Sequence, residues 1–355
     1  MNIDPQAKTR IQKLRKLLKG AKNTYILIYS NPDPDGLASA WALKEILSHM
    51  GIQSTIGYTG QVGRLQNAAM IQEMKIPVES FQPGRLQEAD LVAMVDAQPS
   101  FFQDLELPRC DIVIDHHPHK GERKAPFSDI RSKVLSTCSM MTEYLWALNK
   151  PISKRLATAL FYGMETDIRN QQKSPTPLDV AAMAFLEKKA NKNLIRRIEF
   201  SQYSLNDLDY FSIALIKQRY ARNVLYAHIG PVPYTDVCVQ VADFLIRVKE
   251  AHWALVTGVT DNKLVVVFRS DGNLKNVGKL AQAAFGTIGS AGGHSTMGRA
   301  EILADRLPPG IGLTQNEQLE WFVVNSLAKE DRAFRPLLKK MKSHGIGANR
   351  GDKKV

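Results

Sequence analysis

The sequence predicts an α/β protein of two domains, a first built on a mostly parallel sheet flanked by helices and a smaller second one, also α/β. Three observations carry this. Strand-like and helix-like runs alternate through roughly the first half of the chain, the pattern of successive βαβ units. The run Asp111-Ile-Val-Ile-Asp115 is apolar without alternation, as a strand covered on both faces is. At 355 residues the chain exceeds one ordinary core.

From Asp4 to Lys19, Ile11, Leu14, Leu17 and Leu18 recur at helical spacing among Lys and Arg, which predicts a basic amphipathic helix docked on the first domain. Tyr25–Tyr29 reads as a strand and Ala38–Met50 as a helix stopped by Gly51. Between them lies Ser30-Asn31-Pro32-Asp33-Pro34-Asp35-Gly36. Prolines 32 and 34 favour extended geometry at Asn31 and Asp33, which would place Tyr29, Asn31, Asp33 and Asp35 on one face. Two carboxylates converging there call for a hard cation, unless the stretch is only a Pro/Asp/Gly turn.

The alternation continues with a strand at Ser54–Tyr58, a helix at Leu65–Met74 and a strand from Ala89 to Val95 that ends in Asp96. The next strand ends in Asp115-His116-His117-Pro118. Three strand ends thus bear Asp33/Asp35, Asp96 and His116/His117, and the carboxyl edge of an open α/β sheet is where ligands bind. A helix-like run, Ala157 to Asp167, offers its final residue, Asp167, to close the cluster. From Asn170 to Asn223 the pattern is helical, with Leu186, Leu194, Ile195 and Leu205 as packing positions, and reads as a connector.

The second domain starts near Val224. Leu225–Ile229 and Trp253–Val259 read as strands, Thr235–Lys249 as a helix, and Lys263–Phe268 as a strand after the Asp261-Asn262 turn. Arg269 and Ser270 follow it directly. Gly289-Ser-Ala-Gly292-Gly293-His294 precedes a strand at Ala300–Leu303; glycines beside a histidine let backbone N–H groups and an imidazole approach an anion, or simply make a turn. Lys339–Val355 is basic and glycine-bearing and reads as a solvated tail. The expected boundaries are 1–170, 171–223, 224–306 and 307–355.

Composition bounds the function. A hydrophobic share of 44% with 23% charged residues fits a globular protein. No run approaches the roughly 18 apolar residues of a membrane span, and the first twenty residues lack the apolar centre of a signal peptide, so a cytoplasmic protein without membrane association is expected. The three cysteines, Cys110, Cys138 and Cys238, are too far apart for a disulfide framework or zinc knuckle and read as buried apolar fillers. The net charge of +12 favours a polyanionic partner such as nucleic acid, nucleotides or polyphosphate.

Taken together and in this order, Asp33-x-Asp35-Gly36, Asp96, Asp115-His116-His117, Asp167, Arg269 and Gly292-Gly293-His294 resemble the DHH phosphoesterase family with its DHH-associated second domain. The similarity covers roughly residues 22 to 305 and is nearer the nanoRNase and pAp-phosphatase branch than the larger RecJ exonucleases. Gly63-Arg64-Leu-Gln-Asn67-Ala-Ala-Met70 also resembles a segment of that branch, which makes Arg64 and Asn67 substrate-binding candidates.

The resemblance implies a dinuclear manganese site, with Asp33 and Asp96 on one ion, Asp35, His116 and Asp167 on the other, and Asp96 bridging. Asp115 would act from behind the ligands and His117 would handle a proton. Arg269, Ser270, Gly292, Gly293 and His294 would hold the substrate's terminal phosphate and sugar, with the active site in the cleft between the domains. One departure matters: where the family usually has a histidine, four residues before the first Asp, this chain has Tyr29, and a phenol is a poor ligand at neutral pH. Asn31 is a substitute donor on the shared-face reading. Ala291 stands where a third glycine is usual.

The leading expectation is a metal-dependent phosphoesterase acting on short oligonucleotides, linear dinucleotides or nucleoside bisphosphates through water activated by two metals. The alternatives are a nucleotide- or cyclic-dinucleotide-binding protein weakened in catalysis by Tyr29, and a RecJ-like single-strand exonuclease. The sequence leaves open a homo-oligomer.

Overall fold

The computed structural model describes residues 5–29, 31–102, 105, 107, 109–118, 125–170, 174–201, 203–272 and 276–343. The chain divides into two compact units, Met1–Gln202 and Tyr203–Val355.

The first unit runs α1 (Pro5–Leu17), β1 (Asn23–Ile28), α2 (Pro34–His49), β2 (Gln53–Tyr58), α3 (Leu65–Met74), β3 (Val78–Ser80), α4 (Pro83–Glu88), β4 (Leu91–Val95), β5 (Ile112–Asp115), β6 (Phe127–Ile130), α5 (Thr137–Ala147), α6 (Lys154–Asn170), α7 (Pro177–Glu187) and α8 (Lys192–Phe200). Its six strands are ordered β3-β2-β1-β4-β5-β6, and every pair is parallel. Side chains alternate across the strands, so Ile26 and Ile28 of β1 enter a large core with α2, α5 and α6, while Tyr25 and Leu27 enter a smaller one with Leu86 and Phe102. Covered on both faces, such strands need no polar alternation, which is why they read as apolar runs.

The second unit runs α9 (Asp207–Lys217), β7 (Arg219–Ala221), β8 (Val224–Pro231), α10 (Asp236–Leu245), β9 (Trp253–Thr260), β10 (Lys263–Ser270), α11 (Val277–Phe285), β11 (Ser290–Gly293), β12 (Met297–Leu303), α12 (Asn316–Glu330) and α13 (Arg335–Ser343). Its mixed sheet is ordered β11-β12-β10-β9-β8-β7, antiparallel except at β8–β9. One face packs on α9 and α10, the other on α11, α12 and α13.

Several expectations are corrected. α2 begins at Pro34, four residues earlier than the apolar spacing indicates, because Asp33 caps it and Pro34 fits a first helical turn. Leu186, Ile195 and Ile198 of α7 and α8 are buried in the first unit's core, where these helices pack on α3, α5 and α6. Leu205, expected to pack, is 85% exposed. Leu319, Val323, Val324 and Leu327, beyond residue 306, complete the second unit's core, with Trp321 and Phe322 partly buried against it. All three cysteines are buried and free. The basic tail beyond residue 343 lies outside the described residues.

Candidate metal centre

The strand order reverses between β1 and β4: the chain leaves β1 towards β2 and β3, and leaves β4 towards β5 and β6. At such a switch point the loops part and open a crevice at the carboxyl ends of the strands. Asp33 and Asp35 follow β1, Asp96 follows β4, and Asp115 and His116 end β5, so three segments deliver their polar groups there.

Asp33 is the N-cap of α2, its Oδ1 accepting from Gly36 N at 2.9 Å. Asp35, in the first turn, is fully buried. It is not left unsatisfied: Oδ1 accepts from Ser136 Oγ and Cys138 N, each at 2.8 Å, and Oδ2 from Thr137 N at 2.7 Å. The free N–H groups that begin α5 thus hold this carboxylate. Asp96 has φ +56°, a left-handed backbone that an Asp tolerates better than most residues, and its Oδ1 accepts from Thr137 Oγ1 at 2.8 Å. Burial, with Asp35, Asp33 and Asp115 close by, pushes its carboxyl well above the usual range.

His116 is the focus. Its Nε2 lies 3.2 Å from Asp167 Oδ2, 3.5 Å from Asp96 Oδ1 and 3.8 Å from Asp35 Oδ2. That nitrogen is buried and makes no hydrogen bond within the protein. Burial alone would lower its pKa, but Asp167 and Asp35 outweigh burial and push it up to about 9. Burial raises Asp167 to about 6 despite its imidazole neighbour. A buried ring nitrogen facing three carboxylates is the donor set of a divalent cation. Two groups have ligand atoms within 4.8 Å of one another: Asp35, His116 and Asp167, and Asp96, His116 and His117. Asp33 borders them, since a Cβ on Gly36 would lie 3.4 Å from Asp33 Oδ1 and 3.5 Å from Asp96 Oδ2.

Behind the cluster, Asp115 Oδ1 is 2.8 Å from His117 Nδ1 and accepts from the His117 N–H at 3.1 Å, while Oδ2 accepts from Gln98 Nε2 at 2.6 Å. Burial raises the Asp115 carboxyl, but these hydrogen bonds outweigh it and hold the group below its ordinary value. His117 is 41% exposed at the side chain and stands at the mouth of the site.

Other expected site residues fall elsewhere. Asn31 has φ +55°, so the extended shared face does not form; its Oδ1 is engaged by Gly63 N at 3.0 Å. The Tyr29 ring packs edge-on against Phe101 and Phe102. Asn67 is buried and donates to Pro32 O at 2.9 Å, bracing the Asp33 loop, while Arg64 is exposed at the start of α3. In the second unit Arg269 is bound to Asp243 at 2.5 Å, and the buried Ser270 Oγ accepts from Gly272 N at 3.1 Å. Gly292 and Gly293 lie in β11; the His294 imidazole is exposed, and its backbone N–H donates to Met297 O at 2.7 Å.

Sequence reasoning missed Gln98, Ser136, Thr137 and Gly163. Ser136 before the apolar start of α5 was a readable capping signal. Gly163 was not: a Cβ there would meet Cys138 Sγ and Pro34 O, each at 2.8 Å, a closeness visible only once α6 lies on α2.

Residues 23–164 match the model of the DHH family, N-terminal domain, over the same span that carries the sheet and the cluster. An uncharacterized protein of Methanocaldococcus jannaschii is 32% identical over 299 residues, which are 84% of this chain but 62% of the relative, so the chain spans less than two thirds of its length. An exopolyphosphatase-related protein from Bacteroides fragilis has the same fold at a TM-score of 0.68 and 17% identity, over 94% of this chain and 98% of that one. RecJ in complex with Mn2+ from Thermus thermophilus matches at 0.54 and 13% identity, over 94% of this chain and 55% of that one. Among the described residues no helix is long and apolar enough to cross a membrane.

Proposed function

We propose that the chain is a metal-dependent phosphoesterase that hydrolyses short oligonucleotides, linear dinucleotides or nucleoside bisphosphates. The observation that carries this is the buried His116 Nε2 with Asp35, Asp96 and Asp167 all within 3.8 Å. Carboxylates and imidazole suit manganese, the ion named in the Thermus RecJ structure, and Asp33, Asp35, Asp96, His116 and Asp167 are the residues that would hold it. Such ions supply a water-derived nucleophile at neutral pH and neutralise charge at the phosphate.

The chain's own groups do the rest. Asp115, kept ionised, accepts a hydrogen bond from Nδ1–H of His117 and fixes the ring, leaving Nε2 to hand a proton to the departing oxygen. Thr137 and the first N–H groups of α5 orient Asp96 and Asp35 before any ligand arrives. The net charge of +12 draws in a polyanion. Arg64, Arg269, Ser270, Gly292, Gly293 and His294 are the proposed substrate contacts.

The test is Asp96→Ala. Manganese-dependent hydrolysis of a dinucleotide should fall by about a hundredfold or more, with weaker manganese binding in calorimetry; unchanged turnover would sink the assignment. His294→Ala should mainly raise KM if the imidazole holds a phosphate.

A further inference from the structure

The motif position where the resemblance expects a metal-binding histidine is used here for something else. Tyr29 is 43% exposed, yet its ring is fixed, with its centroid 5.3 Å from Phe102 at 87° and 5.7 Å from Phe101 at 70°. These three rings, with Tyr58, Thr59 and Phe81, line a cavity of about 430 Å³ at the carboxyl ends of β1, β2 and β3. Phe101 lies in turn against the His117 ring, centroids 5.7 Å apart. The cavity wall is therefore one ring away from the proposed proton donor.

The lining restricts the ligand. Among the described residues it has no charged side chain, so nothing there would hold a second phosphate or a metal. It has five aromatic rings and a few neutral polar groups, including Tyr58 Oη, which accepts from Ser80 Oγ at 3.3 Å. A flat, uncharged ring with polar edges suits such walls, and the volume is at the small end for a small-molecule site, enough for one such unit. We infer that this cavity is a base-binding subsite, which takes the nucleobase attached to the phosphate being cut and selects nucleotides over inorganic phosphate chains. This rests on the phosphoesterase reading and narrows its substrate class.

Two arms test it. In the first, KM is compared for a dinucleotide and for its counterpart carrying an abasic sugar. In the second, adenosine monophosphate and ribose 5-phosphate are titrated by calorimetry in the presence of EDTA, so that binding is read without metal or turnover. Base-on-aromatic stacking predicts a preference of about tenfold for the base-bearing ligand in both arms. Tyr58→Ala should bring both ratios close to one, and Tyr58→Phe should keep them. Thr59→Trp, which fills the cavity without deleting a ring, should erase the preference too and guards against misfolding of the alanine variant. Equal binding of the two monophosphates by the parent, or a preference that survives both cavity variants, overturns the subsite. If the parent hydrolyses neither substrate, the phosphoesterase reading falls, and the metal-free arm still decides the cavity.

Discussion

Asp35 anchors both carboxylate oxygens on the start of α5 and still presents Oδ2 to His116 Nε2, 3.8 Å away. With Asp96 and Asp167 it surrounds an imidazole whose pKa is pushed up to about 9. A protonated imidazole cannot bind a cation, so manganese affinity should tighten by about tenfold per pH unit between pH 7 and 9 and level off above. Calorimetry at four pH values checks this, and a flat profile would show that the His116 imidazole is already neutral at pH 7. The stability of the metal-free protein has the opposite slope. The folded pKa of His116 lies above its ordinary 6.5, so its ion pairing contributes fully below pH 6.5 and is lost as pH rises through 9, on the order of 3 kcal/mol. Asp167, raised to about 6, lowers stability in the same direction between its ordinary value near 3.8 and pH 6. Thermal melts should show Tm falling from pH 6.5 to 9 without metal, and saturating manganese should remove that fall.

Elements bring these residues together through close backbone approach. α6 lies against the first turn of α2 at Gly163, where a Cβ would stand 2.8 Å from Pro34 O and 3.1 Å from Asp35 Cα. Asp167 is one turn further along α6, so that contact sets its distance to His116. Gly163→Ala gains helix propensity, by about 1 kcal/mol, but forces α6 outward at a cost of about 1–3 kcal/mol. Manganese affinity should fall about tenfold, a larger effect than the change in Tm suggests; unchanged affinity would show that Asp167 does not depend on this packing. The apolar runs from Ile26 to Ile114 made the strands legible, since a strand covered on both faces must be apolar along its length. The start of α2 was not legible from periodicity, because its first turn is Pro-Asp-Gly and its apolar spacing begins later. The aromatic cavity was equally hidden: Tyr29, Tyr58, Phe81 and Phe101 are far apart in the chain and meet only because three parallel strands end side by side.

For the whole molecule, both sheets depend on helices for cover, and in the second unit that cover comes late in the chain. Leu319, Val323, Val324, Leu327, Phe334, Leu337 and Met341 are buried against the second sheet. Exposing these side chains costs about 10 kcal/mol or more, comparable to the whole stability of a domain. A chain ended at residue 306 should therefore aggregate or lose its near-ultraviolet circular dichroism, whereas one ended at residue 343 should fold. A soluble, structured product from the shorter chain would contradict the packing.

By itself the sequence determined the class of fold, the succession of its strands along the chain and which acids and imidazoles stand at their ends, because periodicity and strand-end position are local properties. It did not determine which of those groups meet. The tertiary structure decided that Asp167 joins His116 while Asn31 turns to Gly63, that Asp35 also caps α5 from far along the chain, and that Tyr29 sides with phenylalanines rather than carboxylates. The reason is that such partners are fixed by the switch in strand order and by helix packing, and neither is written in the spacing of neighbouring residues.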